Sequence, residues 1–349
     1  MKKSFLITGG SGFIGSHAIR SLVDMGYDVY NFDKLTYASN EESLKHISSS
    51  SYNFIKGDIA NNKDLEKVIN LSKPDYILNF AAESHVDRSI ESPDAFINTN
   101  IIGTYTLLNE TLHYYESLSQ SKKEKFKLIH ISTDEVYGSL DFSEKSSSEL
   151  SPYKPNSPYS ASKASSDLLV RSWFKTYNLP TIITHSTNNY GPWQFPEKLI
   201  PLTVANALKG SPIEVYGDGK NIRDWIFVGD NVSAIIELTL NGIVGQEYNI
   251  ASNNEVSNIE IVRNICKILD NVIPLDNSSY SDLIVFVSDR PGHDKRYSLD
   301  TNKILTETNW VSKTSLDKGL KVSIDWMIKN KDWLYKKTKG HKRIGLKKR

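Results

Sequence analysis

The fold is decided by the stretch Ser4-Phe5-Leu6-Ile7-Thr8-Gly9-Gly10-Ser11-Gly12-Phe13-Ile14-Gly15, a short apolar run that leads into four glycines. The apolar run predicts a buried β-strand, and Ile14, Ala18 and Leu22 then recur at the spacing of a helix face. Glycines between a strand and a helix let the backbone turn tightly and approach a pyrophosphate, whose charge is stabilised by the helix N-terminus. This stretch therefore predicts a dinucleotide site in an α/β fold.

A second apolar strand, residues 28–32, ends in Asp33. An acidic side chain here is placed to bond the ribose hydroxyls of an adenosine, and it would repel the 2′-phosphate of NADP. The sequence therefore predicts NAD as the cofactor. Asp58 follows a third strand, and two interpretations of it stay open: a cap for the next helix or a partner for the adenine.

Strands and helices continue to alternate along the first half of the chain. Apolar runs at 52–59, 76–82, 127–131 and 181–184 predict strands, and helical patterns begin near Pro93 and cover 159–177. This alternation predicts an α/β fold with a doubly wound, mostly parallel Rossmann sheet.

The chain is expected to form two domains, followed by a C-terminal tail at 336–349. Residues 1–187 are expected to form an NAD-binding Rossmann domain, and 188–335 mainly a smaller C-terminal lobe that binds the substrate, with 224–251 returning to the first domain. In the second half we expect strands at 213–216 and 247–250 and helices at about 257–270 and 315–329. The Ser- and Pro-rich stretch 139–158 is expected to be a loop across the mouth of the active site.

The composition is that of a soluble globular protein, with 39% hydrophobic and 24% charged residues. Cys266 is the single cysteine, which excludes an intrachain disulfide and is typical of the reducing cytoplasm. The apolar run before Gly9 is too short for a signal peptide, and no run approaches the roughly 20 residues that span a bilayer. We therefore expect a cytoplasmic protein that does not enter a membrane.

The charge is unevenly placed. Residues 336–349 hold eight Lys or Arg and no acidic residue, although the net charge of the chain is only +1. This basic segment is expected to be a solvated, disordered tail; the alternative is a segment that binds nucleic acid or an anionic membrane. The remainder is mildly acidic and gives no reason to expect a nucleic-acid partner.

Tyr159 and Lys163 form a Tyr-x-x-x-Lys pair on a predicted helix, so both side chains lie on one face. A free phenol has a pKa near 10, which is too high for a base at neutral pH. A neighbouring ammonium group and the positive ring of a nicotinamide favour the phenolate and lower that pKa. Together with the glycine turn, this pair predicts removal of a proton from an alcohol while hydride leaves the same carbon.

Thr133, Asp134 and Glu135 follow the strand 127–131 and lie at the carboxyl edge of the predicted sheet, where open α/β folds bind ligands. An acid and a base in one site suit removal of a proton from one carbon and loss of hydroxide from the next. Oxidation of the adjacent carbon makes that proton acidic first. The alternative interpretation is that the two carboxylates cap the loop or bind backbone amides.

The chain resembles the extended short-chain dehydrogenase/reductases, and within them the dTDP-glucose 4,6-dehydratase family. The resemblance is carried by 8–15, 33–37, 82–87, 132–138 (Ser-Thr-Asp-Glu-Val-Tyr-Gly), 159–163 (Tyr-Ser-Ala-Ser-Lys), 188–201, 223–225 and 289–294, and it extends to about residue 330. It implies an NAD-dependent hydro-lyase of deoxysugar (rhamnose-type) biosynthesis that acts without a metal.

The resemblance also implies a role for each site residue. Tyr159, helped by Lys163 and Thr133, deprotonates the glucose 4-hydroxyl while NAD takes the C4 hydride. Glu135 removes the C5 proton, Asp134 protonates the departing C6 hydroxyl, and the hydride returns to C6. Contacts to NAD are implied for Gly9, Gly12, Phe13, Ile14, Gly15, Asp33, Lys34, Leu35, Thr36, Asp58, Ile59, Phe80, Ala81, Ala82, Thr99, Tyr159, Lys163 and Asn189. Contacts to the sugar nucleotide are implied for Ser84, Thr133, Asn188, Glu197, Lys198, Leu199, Tyr216, Arg223, Asn258, Arg290 and His293.

Three further expectations concern selectivity, alternatives and assembly. The chain departs from the family pattern at His185-Ser186-Thr187 and at Trp193, which puts nucleotide or sugar selectivity in doubt more than the chemistry. The alternatives are a dehydratase or epimerase of a UDP-, GDP- or CDP-sugar, and a non-catalytic NAD-binding protein. The helices near 93–116 and 158–177 are expected to pair with a second copy, since a four-helix dimer interface is usual in the family.

Overall fold

The computed structural model of the chain describes residues 2–48 and 50–338. Its strands are β1 (Ser4–Thr8), β2 (Asp28–Asp33), β3 (Tyr52–Lys56), β4 (Tyr76–Asn79), β5 (Lys127–Thr133), β6 (Thr181–Ser186), β7 (Asn188–Tyr190), β8 (Ile213–Tyr216), β9 (Ile222–Phe227), β10 (Glu247–Ile250), β11 (Glu255–Ser257) and β12 (Ile284–Val287). Its α-helices are α1 (Phe13–Asp24), α2 (Asn62–Ser72), α3 (Val86–Glu91), α4 (Asp94–Phe96), α5 (Thr104–Ser117), α6 (Gln120–Lys123), α7 (Pro158–Tyr177), α8 (Leu199–Leu208), α9 (Val228–Asn241), α10 (Asn258–Val272), α11 (Asn302–Thr308), α12 (Leu316–Lys329) and α13 (Lys331–Thr338).

Seven strands form the main sheet in the order β10-β6-β5-β4-β1-β2-β3, and every neighbouring pair is parallel. The chain moves outward from β1 to β3 and then crosses back to β4 on the other side of β1. In such sheets the crevice outside the carboxyl ends, where the strand order reverses, is the ligand site. The predicted doubly wound parallel sheet is confirmed.

Helices cover both faces of this sheet. Ile7 and Ile129 belong to the core beneath α1 and α9, whereas their neighbours Leu6 and Leu128 belong to the core on the opposite face, beneath α2, α5 and α7. Successive side chains of a strand point to opposite faces, so a sheet covered on both sides needs continuous apolar runs. This is why the strands were visible in the sequence as uninterrupted hydrophobic segments.

A second lobe packs beside the carboxyl ends of the main sheet. It contains a three-stranded sheet in the order β11-β9-β7 and a two-stranded parallel sheet of β12 and β8. Its core gathers apolar residues of α8, α10, α12 and α13, including Ile200, Ile265 and Ile324. Strand β9 belongs to this lobe, whereas α9 and β10 belong to the main sheet layer, so the chain returns at Val228 rather than at the predicted 224.

Two other expectations differ in detail. The long helix predicted from Pro93 is continuous from Asp94 to Ser117, but its middle, Ile97–Gly103, is π-helical and joins α4 to α5. The basic segment predicted from 336 begins inside α13, whose last residue is Thr338; residues 339–349 lie outside the described residues. Across the described part of the chain, no helix is both long and apolar enough to cross a membrane.

Candidate active site

A cleft of 490 Å³ lies at the carboxyl ends of the parallel strands, between the main sheet and the second lobe. Every residue predicted to carry chemistry or to contact the cofactor or substrate lines this cleft, with the exception of Leu35. The backbone N–H of Leu35 instead donates to Asp33 Oδ1 at 2.7 Å, and Leu35 has a positive φ of 61°. Its contribution to the site is therefore the turn that orients Asp33.

The glycine turn after β1 brings three pieces of backbone into contact. Gly9 has a φ of +68°, and a Cβ there would lie 2.6 Å from the backbone of Ala81. A Cβ on Gly15 would lie 2.5 Å from the carbonyl oxygen of Gly9. Only glycine permits this packing, which leaves Gly12 and Phe13, at the N-terminus of α1, lining the cleft.

Asp33 at the end of β2 is buried and holds this turn in place. Its Oδ2 accepts a hydrogen bond from the N–H of Ser11 at 2.9 Å, and its Oδ1 accepts from Ser39 Oγ at 3.1 Å as well as from Leu35. Burial raises the pKa of Asp33, and these hydrogen bonds oppose the rise. The carboxylate therefore joins the loop after β2 to the glycine turn and also lines the cleft.

The structure decides against one of the two interpretations of Asp58. Asn61 caps α2, because its side chain accepts from the N–H groups of Lys63 and Asp64. Asp58 Oδ1 accepts from the N–H of Ala60 at 3.0 Å, and its Oδ2 lies 2.6 Å from Lys34 Nζ. Asp58 thus lines the cleft as an ion-paired carboxylate and does not cap the helix.

The π-helical segment is fixed against the loop that follows β4. Asn100 donates to the carbonyl of Glu83 at 3.0 Å and to Ser162 Oγ at 2.8 Å, and its Oδ1 accepts from the N–H of Glu83. Wide helical turns of this kind often occur at functional sites. Here the segment presents Thr99 to the cleft and connects the loop to helix α7.

The end of β5 bends into a 3₁₀ turn, Asp134–Tyr137, which brings both carboxylates to one cleft. The hydroxyl of Thr133 caps this turn by accepting from the N–H of Glu135 at 3.3 Å, and it donates to Asp134 Oδ1 at 3.1 Å. Asp134 Oδ2 is buried and has no hydrogen-bond partner among the described residues. The turn is capped by Thr133 rather than by the carboxylates, so the alternative interpretation of them as caps is not supported.

Tyr159 and Lys163 lie on the buried face of α7, which begins with a Ser157–Ser160 capping box. Lys163 Nζ donates to the carbonyl of Ile131 at 2.8 Å, and burial lowers its pKa to about 8. Burial and the Glu135 carboxylate raise the pKa of Tyr159, although the Thr133 hydroxyl opposes the rise. Without the positive charge of a bound nicotinamide ring, the surroundings therefore favour the neutral phenol.

The two carboxyl groups of the turn differ in their surroundings. Burial and the neighbouring Glu135 raise the pKa of Asp134 well above its ordinary value. Burial also raises the pKa of Glu135, but Arg290, Arg223 and Lys198 oppose this rise. Asp134 is therefore the better proton donor and Glu135 the more readily ionised partner.

Two arginines from the second lobe face the carboxylates. Arg290 NH1 lies 3.0 Å from Asp87 Oδ1, and the hydroxyl of Tyr216 donates to the other oxygen of Asp87 at 3.1 Å. Arg223 is nearly fully buried, donates to the carbonyl of Asp294 at 2.9 Å, and stacks 4.4 Å above the ring of Tyr297. Guanidinium groups held in this way are suited to a diphosphate.

The remaining substrate-side residues are held by contacts across the cleft. Lys198 Nζ donates to the carbonyl of Ser84 at 2.9 Å. The side chain of Glu197 is buried, lies 3.6 Å from both His85 Nε2 and Arg88 Nε, and accepts from Tyr37 at 3.4 Å. Loop 83–88 and the segment before α8 are therefore fixed to each other at the mouth of the cleft.

The loop 139–158 is not part of that mouth. None of its residues lines the cleft. Its backbone pairs instead with Arg296 and Leu299, and Glu149 accepts from the N–H of Asn249 at 2.9 Å. The expectation that this loop crosses the mouth of the active site is wrong, because the loop is bound to the segment 296–299 and to β10 instead.

Comparison with known proteins agrees with this geometry. The profile of the GDP-mannose 4,6 dehydratase family matches residues 6–322. A curated dTDP-glucose 4,6-dehydratase from Neisseria meningitidis serogroup B is 47% identical over 347 residues, which are 98% of this chain and 98% of that protein. The chain belongs to the dTDP-glucose 4,6-dehydratase family.

Solved structures of the family superpose closely. The dTDP-glucose 4,6-dehydratase of Bacillus anthracis, crystallised in complex with NAD, has a TM-score of 0.83 and 42% identity, covering 95% of this chain and 98% of that one. The Streptomyces venezuelae enzyme, with NAD and dTDP bound, has a TM-score of 0.85 and 40% identity, covering 94% and 98%. These findings confirm the predicted family and its NAD-dependent hydro-lyase class.

The residues of this dehydratase-family cleft fit NAD. The glycine turn has no side chain that would fill the space of a pyrophosphate, and Asp33 reaches the cleft from the end of β2. On the other side, Asn189 Oδ1 and Gln194 Oε1 are buried in the cleft wall and find no hydrogen-bond partner within the part of the chain that the structure describes. Buried acceptors without partners are rare in folded proteins, and amide groups of a ligand would satisfy them.

The departures from the family pattern have different surroundings. Ser186 and Thr187 line the cleft, whereas His185 lies behind it, between Tyr137 and Tyr153. Trp193 does not line the cleft: its ring packs 4.6 Å from Trp326 and 5.6 Å from Trp333. Trp193 therefore joins a loop beside the cleft to the C-terminal helices.

Several residues that shape the site were not predicted from the sequence. Asp87 holds both Arg290 and Tyr216, and Tyr297 lies beneath Arg223. Gln194 donates to the carbonyl of Asn189 at 2.7 Å. Asp87 lies within the stretch 82–87 that carries the family resemblance, so a search there for an acidic partner of Arg290 could have found it. No pattern in the sequence points to Tyr297. The described residues contain no cluster of three or more potential metal ligands.

Proposed function

We propose that this protein converts dTDP-glucose into dTDP-4-keto-6-deoxyglucose and water, with NAD regenerated in each turnover. The observation that carries the proposal is the meeting of Asp134 and Glu135 with Tyr159 and Lys163 in one cleft. A dehydrogenase or epimerase needs the tyrosine and lysine, but only an elimination needs an acid and a base beside them.

When bound, NAD supplies the oxidising equivalent at C4 of the sugar and the hydride for C6. Tyr159 takes the proton of the 4-hydroxyl, and Lys163, which is fixed to the carbonyl of Ile131, stabilises the phenolate. The hydroxyl of Thr133 lies between this tyrosine and Asp134, where it orients the sugar oxygen. These residues make the C4 carbonyl that renders the C5 proton acidic.

The elimination itself is assigned from the surroundings of the two carboxyl groups. Glu135, whose ionised form is favoured by Arg290, Arg223 and Lys198, takes the C5 proton. Asp134, whose pKa is raised by burial and by Glu135, gives its proton to the C6 hydroxyl, which leaves as water. Glu135 then returns a proton to C5 as C6 receives the hydride. Two carboxyl groups with different surroundings thus take opposite roles.

NAD is assigned mainly to the first lobe and the sugar nucleotide to the second. The proposed NAD contacts are those predicted from the sequence, with the glycine turn at the pyrophosphate, Asp33 at the adenosine ribose and Asn189 at the carboxamide end. The sugar nucleotide is assigned to the second lobe, where Arg223 and Arg290 meet its diphosphate. Support comes from their position in one cleft and from the ion pair of Arg290 with Asp87.

The preferred nucleotide of the substrate is tested by comparing nucleotide-glucose donors. Purified protein is incubated with dTDP-, UDP-, GDP- and CDP-glucose, and the 4-keto-6-deoxy product is followed by its absorbance in alkali and by mass spectrometry. The proposal expects loss of one water from dTDP-glucose at a kcat/KM at least tenfold above that for the other donors. Simple inversion at C4 without loss of water would show an epimerase instead, and turnover of another nucleotide alone would overturn the choice of dTDP.

A homodimer through α5 and α7 and a cytoplasmic setting are part of the same proposal. Tyr105 on α5, Leu168 on α7 and Ile102 in the π-helical segment just before α5 are each about half exposed, although they are large and apolar. An apolar surface of this kind is typical of a contact with a second copy. Cys266 is buried as a free thiol, which is typical of proteins in a reducing compartment.

A further inference from the structure

Beneath the cleft lies a buried polar cluster that the proposed mechanism does not use. Its centre is Asp167 on α7, which is only 1% exposed and does not line the cleft. Asp167 Oδ2 accepts a hydrogen bond from Ser132 Oγ at 2.6 Å. Two histidines face the same carboxylate, His130 Nε2 at 3.3 Å from Oδ1 and His185 Nε2 at 3.4 Å from Oδ2.

Helix geometry places Asp167 behind the catalytic pair. Tyr159, Lys163 and Asp167 are spaced four residues apart on α7, and all three are buried on one face. Lys163 Nζ lies 3.3 Å from His130 Nε2, the nitrogen that also faces Asp167. One imidazole therefore stands between the ammonium group of Lys163 and the carboxylate of Asp167.

We propose that Asp167 is a positioning residue of the active site with two effects. Its negative charge, acting across His130, keeps Lys163 in the ammonium form. Its hydrogen bond with Ser132 fixes the end of β5, where Thr133 to Glu135 follow. A buried ammonium group needs a compensating negative charge, since burial alone favours the neutral amine. The inference rests on the proposed function, because it concerns the charge that assists Tyr159.

The surrounding charges support this assignment. Lys163 faces His130 from β5, the carbonyl of Ile131, and Tyr159 from its own helix; Asp167 is the charged group that raises its pKa against burial. Burial and Lys163 lower the pKa of His130 to about 4, so this imidazole is neutral at pH 7 and cannot replace the carboxylate.

Asp167 itself is kept ionised. Burial would raise its pKa, but the contacts from His130 and His185 outweigh burial and lower it. On the side away from Lys163, His185 contacts the hydroxyls of Tyr137 and Tyr153, and the Tyr153 hydroxyl also donates to Glu247 of β10. No lysine or arginine is among these groups, so the side chains on this side of Asp167 are two phenols, an imidazole and a carboxyl group.

The test is the pH dependence of Asp167→Asn, with Ser132→Ala as the matched control. Asparagine keeps the shape and can still accept from Ser132, but it removes the charge. Activity that requires Lys163 in its ammonium form is present below the pKa of Lys163 and is lost as pH rises through it. Without the charge of Asp167 the pKa of Lys163 falls, so the alkaline limb of the kcat/KM profile should move to a pH about 1–2 units lower. This is the shift expected for two charges, those of Lys163 and Asp167, within about 7 Å of each other at an effective dielectric constant of about 20. Ser132→Ala keeps the charge and should leave the alkaline limb in place, whereas its kcat should fall because the end of β5 loses its link to Asp167.

A direct titration separates this inference from the proposed function. Enzyme with 13C at the lysine Cε positions is followed by NMR, and the resonance absent from Lys163→Met identifies Lys163. Its midpoint should fall in Asp167→Asn and stay unchanged in Ser132→Ala. An unchanged midpoint in Asp167→Asn, with only a lower melting temperature, would show a merely structural role and overturn the inference. Absence of a 4-keto product from the wild-type protein would instead overturn the proposed function.

Discussion

At the scale of single residues, the geometry that matters is the end of β5. Thr133 caps the turn, Asp134 is buried with an unpartnered oxygen, and Glu135 faces the arginines. Each residue has different neighbours although the three are consecutive. The division of labour between the two carboxyl groups follows from those neighbours, and two predictions test it.

Glu135→Gln should bind NAD normally but should no longer exchange the C5 proton of the sugar. The amide has nearly the same shape and cannot take a proton, so product formation should fall by about 10²–10⁴-fold. The measurement is solvent-deuterium incorporation at C5, beside NADH fluorescence for binding. Asp134→Asn is the control that should still exchange C5 while losing little water. Normal deuterium incorporation in Glu135→Gln would refute the role of Glu135.

Asp134→Asn should be more stable than the wild-type protein at neutral pH. The pKa of Asp134 is raised by burial and by Glu135, so the folded state keeps a proton that the unfolded state releases. Stability then falls as pH rises above the ordinary pKa of 3.8, and asparagine, which has no proton to lose, removes this loss.

The check is the melting temperature at pH 4 and pH 8. The variant should gain relative to the wild type at pH 8 and little at pH 4, by about 1–2 °C for a chain of this size. Asp276→Asn, at an exposed position, should show no such difference. An equal gain at both pH values would argue against a protonated Asp134.

At the scale of elements, the strand–turn–helix unit at the start of the chain is held by backbone contacts rather than by side chains. Gly9 and Gly15 approach neighbouring backbone so closely that a Cβ would overlap it. By contrast, α4, the π-helical segment and α5 follow one another because Asn100 fixes the wide turns to Glu83 and Ser162. The closely packed turn is recognisable in the sequence from its glycines, whereas the π-helical segment has no such sequence pattern.

Gly15→Ala should weaken NAD binding about tenfold or more, which is about 1.4 kcal/mol. The new Cβ would lie 2.5 Å from Gly9 O and 2.9 Å from Gly10 Cα, so α1 must move away from the turn. The measurement is a titration with NADH fluorescence. Gly210→Ala is the control: no atom lies within 4 Å of the new Cβ, so NAD affinity should not change, although the positive φ of 64° at Gly210 strains an alanine locally. Unchanged affinity in Gly15→Ala would contradict the close approach.

At the scale of the whole molecule, the lobes meet around the cleft and the helices α5 and α7 face outward. Trp193, Trp326 and Trp333 connect the loop beside the cleft to α12 and α13, and Trp333 Nε1 donates to Asn40 of the first lobe at 3.3 Å. The apolar surface of α5 and α7 lies on the first lobe, built by the helix that also carries Tyr159.

Leu168→Asp should convert the proposed dimer to a monomer. Leu168 is 54% exposed on α7, and a charge in the centre of a buried apolar contact costs several times more than at the surface. The measurement is light scattering coupled to size-exclusion chromatography. Leu150→Asp is the control, since Leu150 is 94% exposed on the loop 139–158 and should leave the assembly unchanged. A dimer that persists in Leu168→Asp would place the contact elsewhere.

The sequence by itself determined the alternating fold and the NAD cofactor, and it named the candidate reacting residues that line one cleft. Each of these depends on local chemistry, such as glycines that admit no Cβ, apolar runs buried on both faces, and a tyrosine and lysine one turn apart. These patterns involve consecutive or regularly spaced residues, so they can be recognised without a structure. The placement of loop 139–158 was misjudged, and the role of Asp58 stayed open between two interpretations, because several polar segments offered equivalent partners.

The tertiary structure alone decided which distant side chains share a site. Asp87 meets Arg290 across more than 200 positions of sequence, Tyr297 lies beneath Arg223, and Asp167 faces two histidines from neighbouring strands. No spacing rule predicts such contacts, since they depend on how parallel strands align and how the second lobe packs beside them. The proposed charge on Lys163 depends on Asp167, and the different acidities of Asp134 and Glu135 depend on their burial and on the arginines of the second lobe, because burial and nearby charges set a pKa.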